Sequence, residues 1–263
     1  MHVQVPRALT IATTDSGGGA GVQADLKAFA AAGAHGLAAV VALTAQNTVA
    51  VTAVHELPPE FVVAQLDAVF DDIGVDAAKT GMLFSRRLID TVADYLERRR
   101  VPLVVDPVMV ASSGARLLEP DAVSTLVGRL FPLATVVTPN LHEAAALAGL
   151  PEETPRPALA ERLHELGAAA VIVTGGHGPV AADHLFAGGE HVEIPVPRHG
   201  TGATHGAGCT HSATLAALLA RGLPLLDAAR RAAETAAAAV ARGLAGLGAG
   251  EGPVDAIGLR GVV

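Results

Sequence analysis

Short apolar runs separated by helical stretches constrain this chain more than any other feature. The runs Ala8–Thr13, Leu37–Thr44, Asp76–Leu83, Leu103–Asp106, Thr135–Thr138 and Ala169–Val173 are nearly continuous in apolar residues, as strands buried on both faces are. Stretches with helical spacing lie between them, at Val22–Ala32, Pro58–Ile73, Arg86–Arg100, Asp121–Phe131 and Ala158–Leu166. Parallel strands need a crossover between them, and a helix is the usual one, so the alternation predicts an α/β fold with a mostly parallel, doubly wound sheet. Val49–Leu57 alternates like a further strand. Ala181–Phe186 and His191–Val196, joined by Ala187-Gly188-Gly189-Glu190, predict a hairpin. Two helices, about Cys209–Arg221 and Leu225–Leu247, close the pattern, and the glycine-rich tail from Gly248 is expected to be loose. No linker or repeat interrupts the sequence, so residues 1–263 read as one domain.

Composition narrows the function. Hydrophobic residues make up 51% and charged residues 17%, which fits a packed core and excludes a disordered chain. With 18 basic and 26 acidic residues, a formal charge of −8 and 3% aromatics, the surface is not one that nucleic acid would seek. The apolar runs are too short for a membrane span. Cys209 is the one cysteine, so no internal disulfide exists, and a reducing cytoplasm is the expected location. The N-terminus runs into a strand pattern without the charged-then-apolar order of an export leader.

Polar residues gather just past the predicted strand ends: Asp15, Gln46, Met82, Asp106, Asn140 and Gly175. Ligands of open α/β sheets bind in the crevice outside those ends. The stretch Gly200–Thr210 adds a second signal. Small residues at Gly206, Ala207 and Gly208, after Thr204, let backbone N–H groups crowd at a helix start, which is an anion site. Cys209 opens that helix, where the dipole is expected to favour its thiolate. A lone cysteine is commonly a small buried hydrophobe, but this placement argues for a catalytic role. Gln46 can offer a donor and an acceptor to the edge of a heterocycle. Asp106, Asn140 and Glu143 supply the oxygen ligands that Mg²⁺ on a nucleotide phosphate requires, so the set points to phosphoryl transfer. Asp25, taken alone, reads as a surface acid on an amphipathic helix. The turn Asp15–Gly21 lacks the context of a dinucleotide fingerprint and the Lys-Ser/Thr of a Walker A loop. His199, His205 and His211 are spaced by six, which does not stack ligands for zinc.

The motifs Asp-Ser-Gly-Gly-Gly-Ala-Gly-Val-Gln-Ala-Asp-Leu-Lys (15–27), Thr-Ala-Gln-Asn-Thr (44–48), Lys-Thr-Gly-Met-Leu (79–83), Val-Asp-Pro-Val-Met-Val-Ala (105–111), Thr-Pro-Asn-Leu-His-Glu-Ala (138–144) and Thr-His-Gly-Ala-Gly-Cys-Thr (204–210) follow in order. Together they resemble the hydroxymethylpyrimidine/phosphomethylpyrimidine kinases of thiamine biosynthesis, within the ribokinase-like superfamily. The resemblance implies a three-layer α/β/α fold, ATP and Mg²⁺, and phosphorylation of 4-amino-5-hydroxymethyl-2-methylpyrimidine and then of its monophosphate. It implies that Gln46 and Asp25 contact the pyrimidine and that Met82 and Val108 line its pocket. It further implies that Asp106, Asn140 and Glu143 organise magnesium and phosphate. Gly206, Ala207 and Gly208 would hold the transferring phosphoryl group beside Cys209 as base, and the enzyme would be a homodimer. Thr13 replaces a family glycine and would narrow the ring site. Ser112, Thr174 and Gly202 stand where lysines are usual, which implies weaker handling of charged phosphates. A pyridoxine/pyridoxal kinase is the near alternative, a pyrimidine-binding protein without catalysis the distant one, and a dehydrogenase the weakest.

Overall fold

A computed structural model describes residues 5–109, 122–176 and 181–261. In chain order its strands are β1 (Arg7–Ala12), β2 (His35–Val40), β3 (Ala42–Gln46), β4 (Val51–Glu56), β5 (Ala77–Thr80), β6 (Leu103–Val105), β7 (Val136–Val137), β8 (Ala170–Val173), β9 (Ala182–Ala187) and β10 (Glu190–Pro195). Eight of them form one sheet in the order β10-β9-β8-β7-β6-β5-β1-β2. From β2 to β8 all neighbours run parallel, and the β9–β10 hairpin adds an antiparallel edge.

Helices cover both faces: α1 (Gly21–Ala31), α2 (Pro59–Ala68), α3 (Arg86–Arg98), α4 (Ala122–Leu130), α5 (Leu141–Ala148), α6 (Arg156–Glu165), α7 (Ala207–Ala220) and α8 (Leu225–Ala241). Successive strand residues point to opposite layers. Leu9, Val105 and Val137 enter a core with Leu66 of α2, Ile89 of α3, Leu126 of α4 and Leu163 of α6. Their neighbours Ala8, Val104 and Val136 enter a second core with Phe29 of α1, Leu215 of α7 and Ala232 of α8. Each fully buried leucine or phenylalanine contributes about 1.5–3 kcal/mol, which is why alternate strand positions must stay apolar. A three-layer α/β/α fold follows from these two cores. Among the described residues no helix is long and apolar enough to cross a membrane.

Three expectations are corrected. The run Leu37–Thr44 is two strands, because the chain leaves the main sheet at Val41. There the Val41 N–H donates to the Ala12 carbonyl, and the Val41 carbonyl accepts from Leu57. β3 then pairs antiparallel with β4 in a separate two-stranded sheet. Its residues alternate between buried and exposed (Leu43 is 45% exposed), as one face of that hairpin is solvated. The last helix stops at Ala241, well short of Leu247. A Cβ at Gly243 would lie 2.6 Å from the Ala203 Cβ, so the chain there passes too close to another segment to carry a side chain. The tail is not loose. Pro253–Ala256 are buried, Pro253 bridges to His205, and the Asp255 carboxylate accepts from the Gly258 and Leu259 N–H groups at 2.7 and 2.9 Å.

Candidate active site

β1 has β2 on one side and β5 on the other, so the strand order reverses beside it and a crevice opens at its C-terminal end. α7 packs against α1 on that side of the sheet, close to β1, β5 and β6. Under its first turn lies a buried charge cluster. Lys79 of β5 is fully buried, with Nζ 2.8 Å from Asp25 Oδ1 and 3.5 Å from Asp106 Oδ2. The other Asp25 oxygen accepts from Thr10 Oγ1 at 2.6 Å. Asp106, just past β6, accepts from Ser212 Oγ at 2.7 Å, and Ser212 is one helical turn beyond Cys209 on α7.

This arrangement decides several protonation states. Burial opposes the charge on Lys79, but Asp25 and Asp106 hold its proton on and raise its pKa above the ordinary lysine value. Burial likewise pushes the Asp25 carboxyl up, against Lys79 and Thr10, which favour the carboxylate. Cys209 departs from the expected thiolate. The residue keeps some exposure, but the protein packed around its sulfur pushes the thiol up to about 12, Asp25 and Asp106 push the same way, and Lys79 and the Gly21 N–H only partly compensate. A helix start therefore does not make a thiolate here, because the nearest charges include two carboxylates in a poorly solvated setting. Alkylation of this single-cysteine chain with iodoacetamide, in metal-free buffer, is expected to quicken about tenfold per pH unit from pH 7 to 9, the course of a thiol far below its pKa. A rate that levels off below pH 8 would contradict this.

The helix start itself keeps the expected geometry. Gly206 is the N-cap of α7 with φ +82°, no side chain caps the helix, and no acid lies in its first turn. A Cβ on Gly206 would sit 1.8 Å from the Gly19 carbonyl oxygen, so only glycine fits. Ala207 N–H is taken by the Thr204 carbonyl and Thr210 N–H by the Gly206 carbonyl. Among the described residues the Gly208 and Cys209 N–H groups have no backbone partner, and no other atom lies near the space a Gly208 Cβ would take. These donors, with the helix dipole behind them, can hold an anion. Thr204 is exposed, its hydroxyl donating to Glu251.

The other expected residues divide by position. The Thr13 N–H donates to the Met82 carbonyl at 3.2 Å; both residues are buried, and this joins the ends of β1 and β5. Val108 follows Asp106 and is half-buried. Gln46 ends β3 at a bulge, half-exposed, with its backbone N–H and C=O both bonded to Ser16 Oγ at 2.8 and 2.6 Å. Its side-chain amide has no partner among the described residues. Asn140 and Glu143 serve each other. The Asn140 side chain accepts from the Glu143 N–H and the Glu143 carboxylate from the Asn140 N–H, both at 2.9 Å, closing a capping box at the start of α5. Burial pushes the Glu143 carboxyl up to about 8, and the charge of Asp106 adds to the rise. Two oxygen donors that repel each other in a buried setting fit a divalent cation. Among the described residues no three ligating side chains form a ready-made metal centre.

Of the three missing lysines, Ser112 lies outside the described residues. Thr174 is held by the Pro139 carbonyl at 2.9 Å. Gly202 takes φ +61°, a backbone that a lysine would strain to adopt. Sequence reasoning missed the structural roles of Lys79 and Ser212 and the pairing of Asp15 with His205. The one available signal was a lysine inside the otherwise apolar strand Ala77–Thr80, in a chain with only two lysines.

Residues 15–255 match the family described as phosphomethylpyrimidine kinase. Over 253 residues the chain is 49% identical to the hydroxymethylpyrimidine/phosphomethylpyrimidine kinase of Rhizobium meliloti (strain 1021), covering 94% of this chain and 95% of that one. It is 50% identical over 255 residues to the thiamine biosynthesis bifunctional protein ThiED of Geobacter sulfurreducens, covering 95% of this chain and 52% of that protein. Among solved structures, an ADP complex of Bacillus subtilis pyridoxal kinase superposes with a TM-score of 0.89 at 37% identity, covering 98% of this chain and 99% of that one. Phosphomethylpyrimidine kinase from Clostridium difficile 630 superposes with a TM-score of 0.76 at 35% identity, covering 88% and 96%. Motifs, fold and identity agree over nearly the whole length: the chain belongs to the phosphomethylpyrimidine kinase family.

Proposed function

We propose that this protein transfers the γ-phosphoryl group of ATP to the hydroxymethyl oxygen of 4-amino-5-hydroxymethyl-2-methylpyrimidine, and then a second to the monophosphate. The observation that carries the reading is the uncapped start of α7, with its free N–H groups beside Cys209 and above the Lys79 cluster. Phosphoryl transfer through a loose transition state depends on positioning and on charge neutralisation, and the site offers both. The free Gly208 and Cys209 N–H groups hold the transferring group, on a turn set by Gly206 as N-cap and by Ala207, whose own N–H is bonded to Thr204. The free amide of Gln46 reads the ring, with Met82, Val108 and Thr13 forming the wall. Asp25, buried and fully bonded, acts on the ring site through Lys79 and Thr10. Asp106 and Glu143 would hold Mg²⁺, with Asn140 orienting Glu143. When bound, that ion supplies positive charge that screens the phosphates and both carboxylates, including the one that holds the Cys209 thiol up. With that charge in place Cys209 would first release its own proton to solvent and then, as the thiolate, take the alcohol proton late, when the oxygen is already bonding to phosphorus and is far more acidic than a free alcohol. Family resemblance supports a cytoplasmic homodimer.

The likeness to a pyridoxal kinase favours one second reading, phosphorylation of pyridoxal, another flat hydroxymethyl heterocycle. Side-by-side steady-state assays separate them. The proposal expects kcat/KM for the pyrimidine alcohol to exceed that for pyridoxal by at least about tenfold, or ~1.4 kcal/mol of transition-state preference. The reverse order would install pyridoxal as the substrate.

A further inference from the structure

The two halves of the site sit on loops far apart in sequence, and one buried pair joins them. The Asp15 carboxylate accepts from four donors: Gly17 N–H at 2.8 Å, Gly19 N–H at 3.1 Å, Ala20 N–H at 2.8 Å and His205 Nε2 at 2.9 Å. Both side chains are nearly inaccessible, at 2% for Asp15 and 10% for His205. Ser16, the next residue, brackets the backbone of Gln46 with its hydroxyl. On the other side His205 directly precedes Gly206, the N-cap of α7. His205 is also clamped through its own backbone, which donates to the Gly252 carbonyl and accepts from the Val254 N–H.

The loops interlock around this pair. A Cβ on Gly19 would fall 2.3 Å from His205 Cδ2, and one on Gly206 would strike the Gly19 carbonyl. The tail braces the same joint, since the Gly250 N–H donates to Thr48 Oγ1 two residues beyond Gln46. Burial acts to raise the Asp15 pKa, yet the His205 contact and the Gly17 and Ala20 N–H groups hold it below the ordinary carboxylate value.

Resting on the proposed kinase reading, we infer that Asp15 and His205 are positioning residues, a latch that fixes the distance between the ring-reading amide of Gln46 and the phosphate-holding start of α7. Neither residue touches the reacting atoms in this account. Each half-site would survive loss of the latch, because Gln46 keeps its hairpin and α7 keeps its packing on α1 and α8. What would be lost is alignment of the alcohol oxygen with phosphorus, and displacement by about 1 Å can cost on the order of 100-fold in rate.

The test uses His205→Ala, which removes the latch, and His205→Gln, whose amide N–H can still reach Asp15. Kd for the pyrimidine and for a non-hydrolysable ATP analogue is measured separately by calorimetry, and kcat by ATP-coupled turnover. For His205→Ala the latch predicts a kcat loss of about 30- to 100-fold with each Kd changed less than about threefold, since only alignment is lost. His205→Gln should recover most of kcat. Parallel weakening of both ligands, or no recovery in His205→Gln, would reduce the pair to a structural contact and overturn the inference. If His205→Ala does not fold, Asp15→Asn and His205→Gln carry the same comparison. Wild-type turnover with unchanged kcat in every variant overturns the latch alone, whereas a wild type that phosphorylates no pyrimidine overturns the kinase reading and the latch with it.

Discussion

Lys79→Met should destabilise the protein by about 3–5 kcal/mol and abolish measurable phosphorylation, since removing one partner of a buried ion pair leaves uncompensated charge behind. Among the described residues Lys79 is the only cation within bonding reach of Asp25 and Asp106, and it has no exposed surface. Methionine fills similar volume, so loss of charge rather than a cavity would dominate. In a domain of this size each kcal/mol moves Tm by roughly 2–4 °C, so thermal unfolding should shift by about 10 °C. Adding Asp25→Asn should restore part of that stability, because the orphaned carboxylate is then gone. It should not restore activity, since the positive charge beneath the helix start would still be missing. A change in Tm below about 3 °C for Lys79→Met would mean that the cluster is better solvated than its burial indicates.

Cys209→Ala carries the second large effect, and it acts on rate more than on binding. The thiol is a neutral group at neutral pH in the free protein, so alanine removes no charge from the resting cluster. Stability and the affinity for ATP should therefore change little. If Cys209 accepts the alcohol proton, kcat should fall by about 100-fold, the low end of what a positioned base contributes, because a loose transition state asks little of the nucleophile. Serine keeps the size but is a far weaker acid than the thiol, so Cys209→Ser should be no better than Cys209→Ala. An unchanged kcat in both would remove Cys209 from the chemistry and leave catalysis to the α7 start and the charge of Lys79 beneath it.

The parallel sheet was legible because strands buried on both faces leave long apolar runs. The break at Val41 was not, since Val40-Val41-Ala42 is apolar on both sides of the turn and the departure is set by bonds to Ala12 and Leu57. The tail misled for a related reason. Glycines read as freedom, but here Gly248 and Gly250 are small so that the backbone can lie against Thr48. At the site, the helix start and Cys209 could be found because small residues before a helix have a local meaning. The Cys209 protonation state could not, as it depends on Asp25, Lys79 and Asp106 from three other elements. Asp15 and His205 are 190 positions apart, and nothing local to either announces the other. Asn140 and Glu143 show the converse. Their spacing was read as a ligand set, and the structure adds a second use of the same spacing, the capping box that starts α5 and fixes Glu143 in place.

Transfer of phosphate to the pyrimidine oxygen is the step to follow. Wild-type protein, ATP, Mg²⁺ and 4-amino-5-hydroxymethyl-2-methylpyrimidine are combined and followed by phosphorus NMR, with the Cys209→Ala protein alongside. A phosphomonoester resonance should grow with ADP in the wild type, and about 100-fold more slowly in the variant. ATP turnover with no phosphorus on the pyrimidine oxygen, or binding of the pyrimidine with no turnover at all, would contradict the proposed activity.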